Sequence, residues 1–456
     1  MKFERIKSDG LAHLSYFIGS EDEAIVVDPR RDCQIYVDLA RREGMNIKYI
    51  FETHRNEDYV IGSLELEKLT DAEIYHGKDV DFKYGNYLSE GQEFNFGSMR
   101  LNALHTPGHT DESMSYTLTD LDTGNEPVMI FTGDALFVGD VGRTDLYGPE
   151  EALRLAANLY DSIFNKILPL GDGVILCPAH GAGSVCGGAI AKRDYSTLGI
   201  ERLQNPVLQK TDKAEFIKFK LEEQLEFPPY FKKMEQYNLQ GPPLLHGLPV
   251  PKLLSPGEFK AEMERGAVVV DTRMPHSFGG VHIRNSYNIW LAGIPSFAGW
   301  VLPYDKHILL VLEEKEQLEI AVRYLVRLGY DNIAGVLNGG IAAWYMKALP
   351  VNEFSFMSVH DLKNKLEKNE EMTLLDVRKK EEWDKGHIQG AKHIYVGELE
   401  KKLDNVPKES KVIVYCDSSR RSSVAASILK KHGYNRVYNL LGSISAWKNA
   451  RYDVVK

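Results

Sequence analysis

Cysteine is scarce in this chain: four residues among 456 (Cys33, Cys177, Cys186 and Cys416), with no C-x-x-C pair. That excludes a disulfide framework and a zinc site built from four thiolates, and it suits a reducing compartment. Long apolar runs are missing as well, so no segment reaches membrane-spanning length. Met1 to Gly10 carries Lys2, Glu4, Arg5, Lys7 and Asp9 and offers no apolar stretch that could act as a secretory signal. The expected location is the cytoplasm. Positive charge is in deficit, with Lys and Arg at 55 against Asp and Glu at 65, a net −10. Nothing in that balance attracts a phosphate backbone or an anionic bilayer, so neither nucleic acid nor membrane is an expected partner.

What the chain does contain is core. Hydrophobic residues make up 43% and charged residues 26%, the values of a globular protein. Its length predicts about three compact units. Residues 1 to about 200 read as short strands alternating with helical stretches, among them Glu23 to Val27, Ile47 to Phe51, Val128 to Phe131 and Val174 to Leu176. Several of these strands end on His or Asp, where loops escape the packing demands of the core. Six prolines between Phe227 and Pro251 mark a linker or a packed extension.

The remainder is an internal repeat. Val268-Val-Val-Asp-Thr-Arg273 matches Thr373-Leu-Leu-Asp-Val-Arg378, and His282-Ile matches His387-Ile. His307-Ile-Leu-Leu-Val matches Lys411-Val-Ile-Val-Tyr, and Asn338-Gly-Gly-Ile-Ala-Ala-Trp344 matches Leu441-Gly-Ser-Ile-Ser-Ala-Trp447. Each copy reads as strand, crossover, strand and helix, the pattern of a parallel sheet covered by helices. The expected boundaries are 1–250, 251–352 and 353–456.

Four polar clusters punctuate the first segment: Thr53-His54-Arg-Asn56-Glu-Asp58-Tyr59, His105-Thr-Pro-Gly-His109, Thr132-Gly-Asp134 and Pro178-Ala-His180. Their order resembles the metallo-β-lactamase superfamily, in which a H-x-H-x-D-H cluster, a later His, a bridging Asp and a last His supply two metal positions. Here Asn56 and Tyr59 stand in place of the second and third histidines. An amide and a phenol are poor substitutes when two cations must be dehydrated, which weakens a binuclear site. His54, His109 and Asp134 survive. Two imidazoles and one carboxylate on one face of an ion leave the opposite positions open, the arrangement of non-heme Fe(II) oxygenases, although zinc also accepts this set.

Thr132-Gly-Asp-Ala-Leu followed by Val141-Gly-Arg-Thr-Asp145 resembles the persulfide dioxygenase branch of that superfamily. The resemblance implies one Fe(II) per chain on His54, His109 and Asp134, with Arg143 and Asp145 holding the loop beside the substrate. A salt bridge that only shapes the loop is the other reading of Arg143. Asp58 and His180 are then groups that hydrogen-bond around the ligands rather than bind the ion, and His105 is structural. Cys186 either faces the pocket or is an inert buried thiol.

Cys416-Asp-Ser-Ser-Arg420-Arg421-Ser422 follows an apolar strand and precedes an apolar helical stretch. Amides converging on a helix start, with Arg420 and Arg421 beside them, would stabilise a thiolate and then a persulfide at Cys416. Both repeats resemble rhodanese domains, and this loop resembles their active loop, with Ser422 at its end. Cys416 stands as far before Gly433 as Leu312 stands before Gly329, so Leu312 takes the nucleophile's place in the first copy. Leucine carries no sulfur, and Glu313 to Glu316 are acidic where the active loop is basic. The first copy is an expected pseudo-rhodanese, while Asp376, Arg378 and His387, matched by Asp271, Arg273 and His282, hold the fold.

The order of segments resembles persulfide dioxygenase-sulfurtransferase fusions. The implied fold is an N-terminal αββα sandwich followed by two α/β domains with parallel sheets. The implied activity is oxidation of a low-molecular-weight thiol persulfide by O2 to sulfite, with Cys416 passing sulfane sulfur to sulfite to give thiosulfate. A homo-oligomer is expected. Two rivals remain: a zinc thioester hydrolase of glyoxalase II type with a rhodanese attached, and an idle N-terminal platform beside a sulfur relay at Cys416.

Overall fold

The computed structural model describes residues 1–223 and 225–456. The chain forms two compact units: Met1–Leu248 with Val326–Gly329, and Pro249–Leu325 with Tyr330–Lys456.

The first unit is built on two six-stranded sheets. One runs from Lys2–Ser8 through His13–Ser20, Glu23–Val27, Asn46–Phe51 and Glu73–His76 to Asn86–Tyr87. Period-two alternation decides which way each strand faces. Leu14, Tyr16, Ile18, Ile25, Val27 and Phe51 point into the space between the sheets, where they meet Phe96, Leu101, Tyr116 and Phe131 of the second sheet. The intervening Phe17, Val26 and Ile50 point outward, under Tyr36, Leu39 and Leu66 of the helices Gln34–Glu43 and Ser63–Thr70. Strand His13–Ser20 is buried along its whole length because both of its faces are covered. On the far side, Ile130 and Leu176 pack against Leu159 and Ile163, carried by the helix Pro149–Asp161 and the turns after it. Helix, sheet, sheet and helix make the αββα sandwich that the family resemblance implies.

Four strands end at one edge of this sandwich: Asn46–Phe51, Met99–His105, Pro127–Gly133 and Ile175–Pro178. Each is followed within four residues by one of the singled-out side chains, His54, His109, Asp134 and His180. The Pro-rich stretch is a packed extension rather than a free linker. Its helix Phe231–Gln240 brings Asn238 back to the His54–Tyr59 loop, where Nδ2 donates to the carbonyls of Asn56 and Tyr59 (2.6 and 2.8 Å) and Oδ1 accepts from the Ile61 amide.

The second unit contains two five-stranded parallel sheets with the same strand order. In the first, Lys252–Leu254, Ile333–Leu337, Ile308–Val311, Val268–Asp271 and Tyr287–Asn288 lie side by side; in the second, Ser355–Met357, Val437–Leu440, Val412–Tyr415, Thr373–Asp376 and Lys392–His393 do. Register matches as well, Asp271 pairing with Val311 and Asp376 with Tyr415. Leu312 and Cys416 therefore follow the same strand at the same point. Even the caps repeat, with Ser255 and Ser358 each accepting from the amide three residues on.

Gly133 ends its strand with φ +54°, and a Cβ there would lie 2.7 Å from Thr53 Cβ. The left-handed conformation alone costs an L-residue about 1–2 kcal/mol, and Thr53 has no room to retreat. Gly133→Ala is expected to lower the midpoint of thermal unfolding by several degrees and to reduce the metal bound per chain, measured by calorimetry and elemental analysis. Wild-type values for both would refute the assignment of this turn as a fixed element.

Candidate functional site

At the sandwich edge, His54 Nε2 and His109 Nε2 approach Asp134 Oδ2 at 3.8 and 3.6 Å. All three side chains are buried. Local partners fix their orientation. Asp28 accepts from the Thr53 amide and hydroxyl, 2.8 Å each, which leaves Thr53 Oγ1 as acceptor for His54 Nδ1 at 2.9 Å. His109 Nδ1 donates to the Arg143 carbonyl at 3.0 Å. His180 Nδ1 donates to Asp134 Oδ1 at 2.7 Å, while its Nε2 lies 3.0 Å from Asp58 Oδ2. In every ring Nδ1 is satisfied from behind and Nε2 is turned inward, the tautomer a metal ligand needs.

Two of the inward nitrogens lie against acid groups, His109 Nε2 2.8 Å from Glu57 Oε1 and His180 Nε2 3.0 Å from Asp58 Oδ2, without completing a well-formed hydrogen bond. The Nε2 atoms of His54, His109 and His180, Asn56 Oδ1, Glu57 Oε2, Asp58 Oδ1 and the Tyr59 hydroxyl are all buried with no hydrogen-bond partner. Buried polar atoms are normally paired because each orphan costs about 1–3 kcal/mol. Seven such atoms, on the residues of the first, second and fourth polar clusters, mark a candidate site for a cation. The donor set of imidazoles and carboxylates fits one, and His54, Glu57, His109 and Asp134 each offer a ligand atom within 4.8 Å of the others.

Electrostatics give the same answer. Burial pushes the Asp134 carboxyl up, but His180 and then His54 outweigh it and hold the acid well below the usual range. Burial likewise opposes charge on Glu57, yet His109 beside it holds that carboxyl down at about 2. Burial lowers His109, and Glu57 followed by Asp134 reverses this and raises it to about 9. His180 is raised well above its ordinary value, burial being overcome by Asp134 and Asp58. The acids demand positive charge, and protons supply it wherever a metal does not.

Sequence reading missed Glu57. It sits inside the first cluster, its Oε1 2.8 Å from His109 Nε2, at a position to which the motif assigns nothing. Cys186 is fully buried, its thiol pushed well up by burial, and it is grouped with Asp58 and His180, with Sγ 3.6 Å from Glu57 Oε1. The Arg143 guanidinium is also buried, and its donors go to Asp145 (2.6 and 2.8 Å) and to the carbonyls of Val185 and Glu226. What Arg143 presents to the cluster is its own carbonyl, on His109. His105 lies apart, bonded to the Asp111 carbonyl and 3.1 Å from Asp79.

In the second unit Cys416 is buried at the strand end, 3.5 Å from the Ser422 hydroxyl, which donates to Asn439. Ser443 organises the loop, its Oγ accepting from the amides of Cys416 and Ser419 and lying 3.8 Å from the thiol. Two loop amides therefore turn to Ser443 rather than to the sulfur. The signal for Ser443 was in the repeat, where the first copy has Gly340. Arg421 forms a two-pronged pair with Glu382, 2.5 and 2.7 Å, whereas Arg420 is exposed. The duplicated residues behave alike. Arg378 clasps Asp376 and donates to the Gly386 carbonyl as Arg273 clasps Asp271 and donates to Val281. His387 and His282 each stack on the aromatic residue four positions earlier, Trp383 and Phe278. In the first copy Glu313 is bonded by Ser277 Oγ and the Met274 amide, an acidic loop with no thiol.

Comparison with known proteins agrees with this architecture. Residues 8–180 match the Metallo-beta-lactamase superfamily, and residues 255–347 and 358–450 each match the Rhodanese-like domain. Persulfide dioxygenase ETHE1 of Mus musculus is 30% identical over 216 residues, 45% of this chain and 74% of that protein. Hydroxyacylglutathione hydrolase GloC of Haemophilus influenzae is 26% identical over 211 residues, 41% of this chain and 88% of that one. A crystal structure of a metallo-beta-lactamase from Staphylococcus aureus subsp. aureus COL has 30% identity and a TM-score of 0.66, and covers 74% of this chain and 99% of its own. A domain homologous to persulfide dioxygenases, followed by two rhodanese-like domains, makes this chain a member of the metallo-β-lactamase superfamily with the architecture of a persulfide dioxygenase-sulfurtransferase fusion.

Proposed function

We propose that the first unit is a non-heme Fe(II) persulfide dioxygenase and that Cys416 is the sulfur carrier of a coupled sulfurtransferase. The observation that carries the reading is the convergence of His54, His109 and Asp134, each held from behind by a hydrogen bond and each offering a ligand atom within 4.8 Å of the others. These three would hold the iron, with His180 and Asp58 orienting Asp134. Ferrous iron, when bound, supplies the one-electron chemistry that lets dioxygen react with a persulfide sulfur. The chain's own part is geometric. Asp28 with Thr53, the Arg143 carbonyl and His180 keep the ligands from turning, and burial keeps water from the reacting sulfur.

The overall change balances as R-S-SH + O2 + H2O giving R-SH + SO3(2−) + 2 H+. Cys416 thiolate takes the outer sulfur from a second persulfide, releasing the thiol. Sulfite then attacks that sulfur, thiosulfate leaves, and the Cys416 thiolate returns. Ser422 and Ser443, both within reach of Sγ, would hold it in line. A small carrier such as glutathione suits a thiol only 1% exposed.

One observation favours a second reading. Asp58, His180 and Cys186 gather beside the first group, and a second cation there would suit a zinc thioester hydrolase, in line with the 26% identity to a hydroxyacylglutathione hydrolase. Metal identity and oxygen dependence separate the two.

After anaerobic ferrous loading, the protein is expected to consume O2 with glutathione persulfide and to form sulfite and thiosulfate. Oxygen uptake should fall at least a hundredfold in His54→Ala. In Cys416→Ser it should persist while the product shifts from thiosulfate to sulfite. Thioester turnover by the zinc form, with no oxygen uptake by the ferrous form, would overturn the proposal. Independently of turnover, metal at a thousandfold excess over Kd is expected to stabilise the fold by about 4 kcal/mol. Calorimetry should show the transition falling on chelation and Asp134→Ala removing the difference; equal midpoints with and without metal would refute the cation site.

A further inference from the structure

The helix Arg420–Lys431, which begins where the Cys416 loop ends, is buried continuously from Ser422 to Leu429. Three serines lie in that stretch, and each buried hydroxyl needs a partner. Ser422 turns to its own domain, between Asn439 and the Cys416 sulfur. Ser423 and Ser427, one helical turn apart, turn the other way, towards the inactive copy. There both meet Asn288. Ser423 Oγ donates to Asn288 Oδ1 at 2.5 Å, and Ser427 Oγ accepts from the Asn288 amide at 3.0 Å. Asn288 is fully buried, and its Nδ2 donates to the carbonyls of Asp271 and Arg273 at 3.0 and 2.9 Å. One side chain thus joins the rigid Asp271–Arg273 turn of the inactive copy to the helix that presents Ser422 to the nucleophile.

The repeat shows that the joint is not a by-product of the fold. The counterpart of Asn288 in the active copy is His393, which keeps the inner role by bonding the Arg378 carbonyl at 2.7 Å. The counterparts of Ser423 and Ser427, at the same spacing from Leu312, are Glu319 and Arg323, which pair with each other at 2.6 Å, Glu319 being exposed. The clamp therefore runs one way, from the copy without a thiol onto the helix of the copy with one. Two residues beyond Asn288, the Trp290 ring lies 5.9 Å from the Arg420 guanidinium, so the same segment also reaches the exposed cation beside the loop.

We propose that Asn288 is a positioning residue for sulfur transfer at Cys416, and that the inactive rhodanese is the outer half of the mount that fixes the active loop. This rests on the reading of Cys416 as the sulfur carrier. Donor binding draws on Arg420, whose long side chain tolerates a small displacement. Transfer requires Cys416 Sγ in line with the donor's S–S bond, where a small displacement costs much more.

Full-length protein is assayed anaerobically with thiosulfate and cyanide. Cys416 thiolate takes the outer sulfur of thiosulfate and releases sulfite; cyanide removes that sulfur as thiocyanate and restores the thiolate. The first-turnover sulfite counts competent sites. Ser423→Ala removes one bond and leaves the inner bonds of Asn288 intact. It is expected to lower kcat per titrated Cys416 about tenfold while KM for thiosulfate stays within about twofold. Asn288→Ala should do the same, and the double variant should be no slower than the slower single one. A merely structural joint would lower the thermal midpoint or the number of titrated sites and leave kcat per site within twofold of wild type, which overturns the proposal. Should Asn288→Ala fail to fold, Ser423→Ala decides. If wild type releases no sulfite, the carrier reading has failed; Asn288 is then judged by the alkylation rate of Cys416 with iodoacetamide. A change of threefold or more in Ser423→Ala upholds the mount, and an unchanged rate overturns it.

Discussion

Buried acid groups at the ends of strands are the constraint around which the first unit is arranged. Asp134, Glu57 and Asp58 lie in a water-poor edge of the sandwich, where negative charge is tolerated only beside positive charge. The imidazoles of His109 and His180 answer by holding protons more tightly than free histidine does. The rest of the edge follows from that requirement: Thr53 with Asp28, the Arg143 carbonyl and the inward turn of every Nε2 are ways of delivering positive charge, or a metal, to a fixed point. Asp134 is central because it touches both groups, with Oδ1 towards His180 and Oδ2 towards His54 and His109.

The second unit builds the same sheet twice and places a cysteine at the end of its strand once. Both copies share strand order, register, the Asp-Arg clasp and the stacked histidine. They part at Asn288, where the second copy has His393, and most sharply past the strand that ends at Val311 or Tyr415. There one chain of residues reads Leu312 and four charged residues, and the other reads Cys416, serines and arginines. A parallel sheet fixes where that loop starts, and sequence is then free to make it a site or a spacer.

Much of this was legible in the sequence because the informative residues are local. His54, His109, Asp134 and His180 each follow a strand closely, and the repeat shows that Leu312 stands in one copy where Cys416 stands in the other. Less legible were groups whose partners come from far along the chain. Asn238 reaches a loop about 180 positions away, in a helix whose sequence, Phe231–Gln240, has no motif. Glu57 lay in plain view, but local spacing cannot say which residues of a tight loop turn inward once packing is complete. Asn288 and Ser423 are ordinary polar residues until the two copies are laid side by side. Composition also says nothing of which donors are already spent: Arg421 belongs to Glu382, and Arg143 to Asp145.

The Asn238 contact bears on how such an enzyme can be rearranged. The match to the superfamily's family model ends at residue 180, yet the loop carrying His54 and Glu57 is laced to a helix some fifty residues further on. A gene fusion or domain exchange cut at residue 180 would keep His54 and Glu57 without the brace behind them. Heredity of function here follows the hydrogen bond, and the natural seam for recombination lies beyond the proline-rich stretch rather than before it.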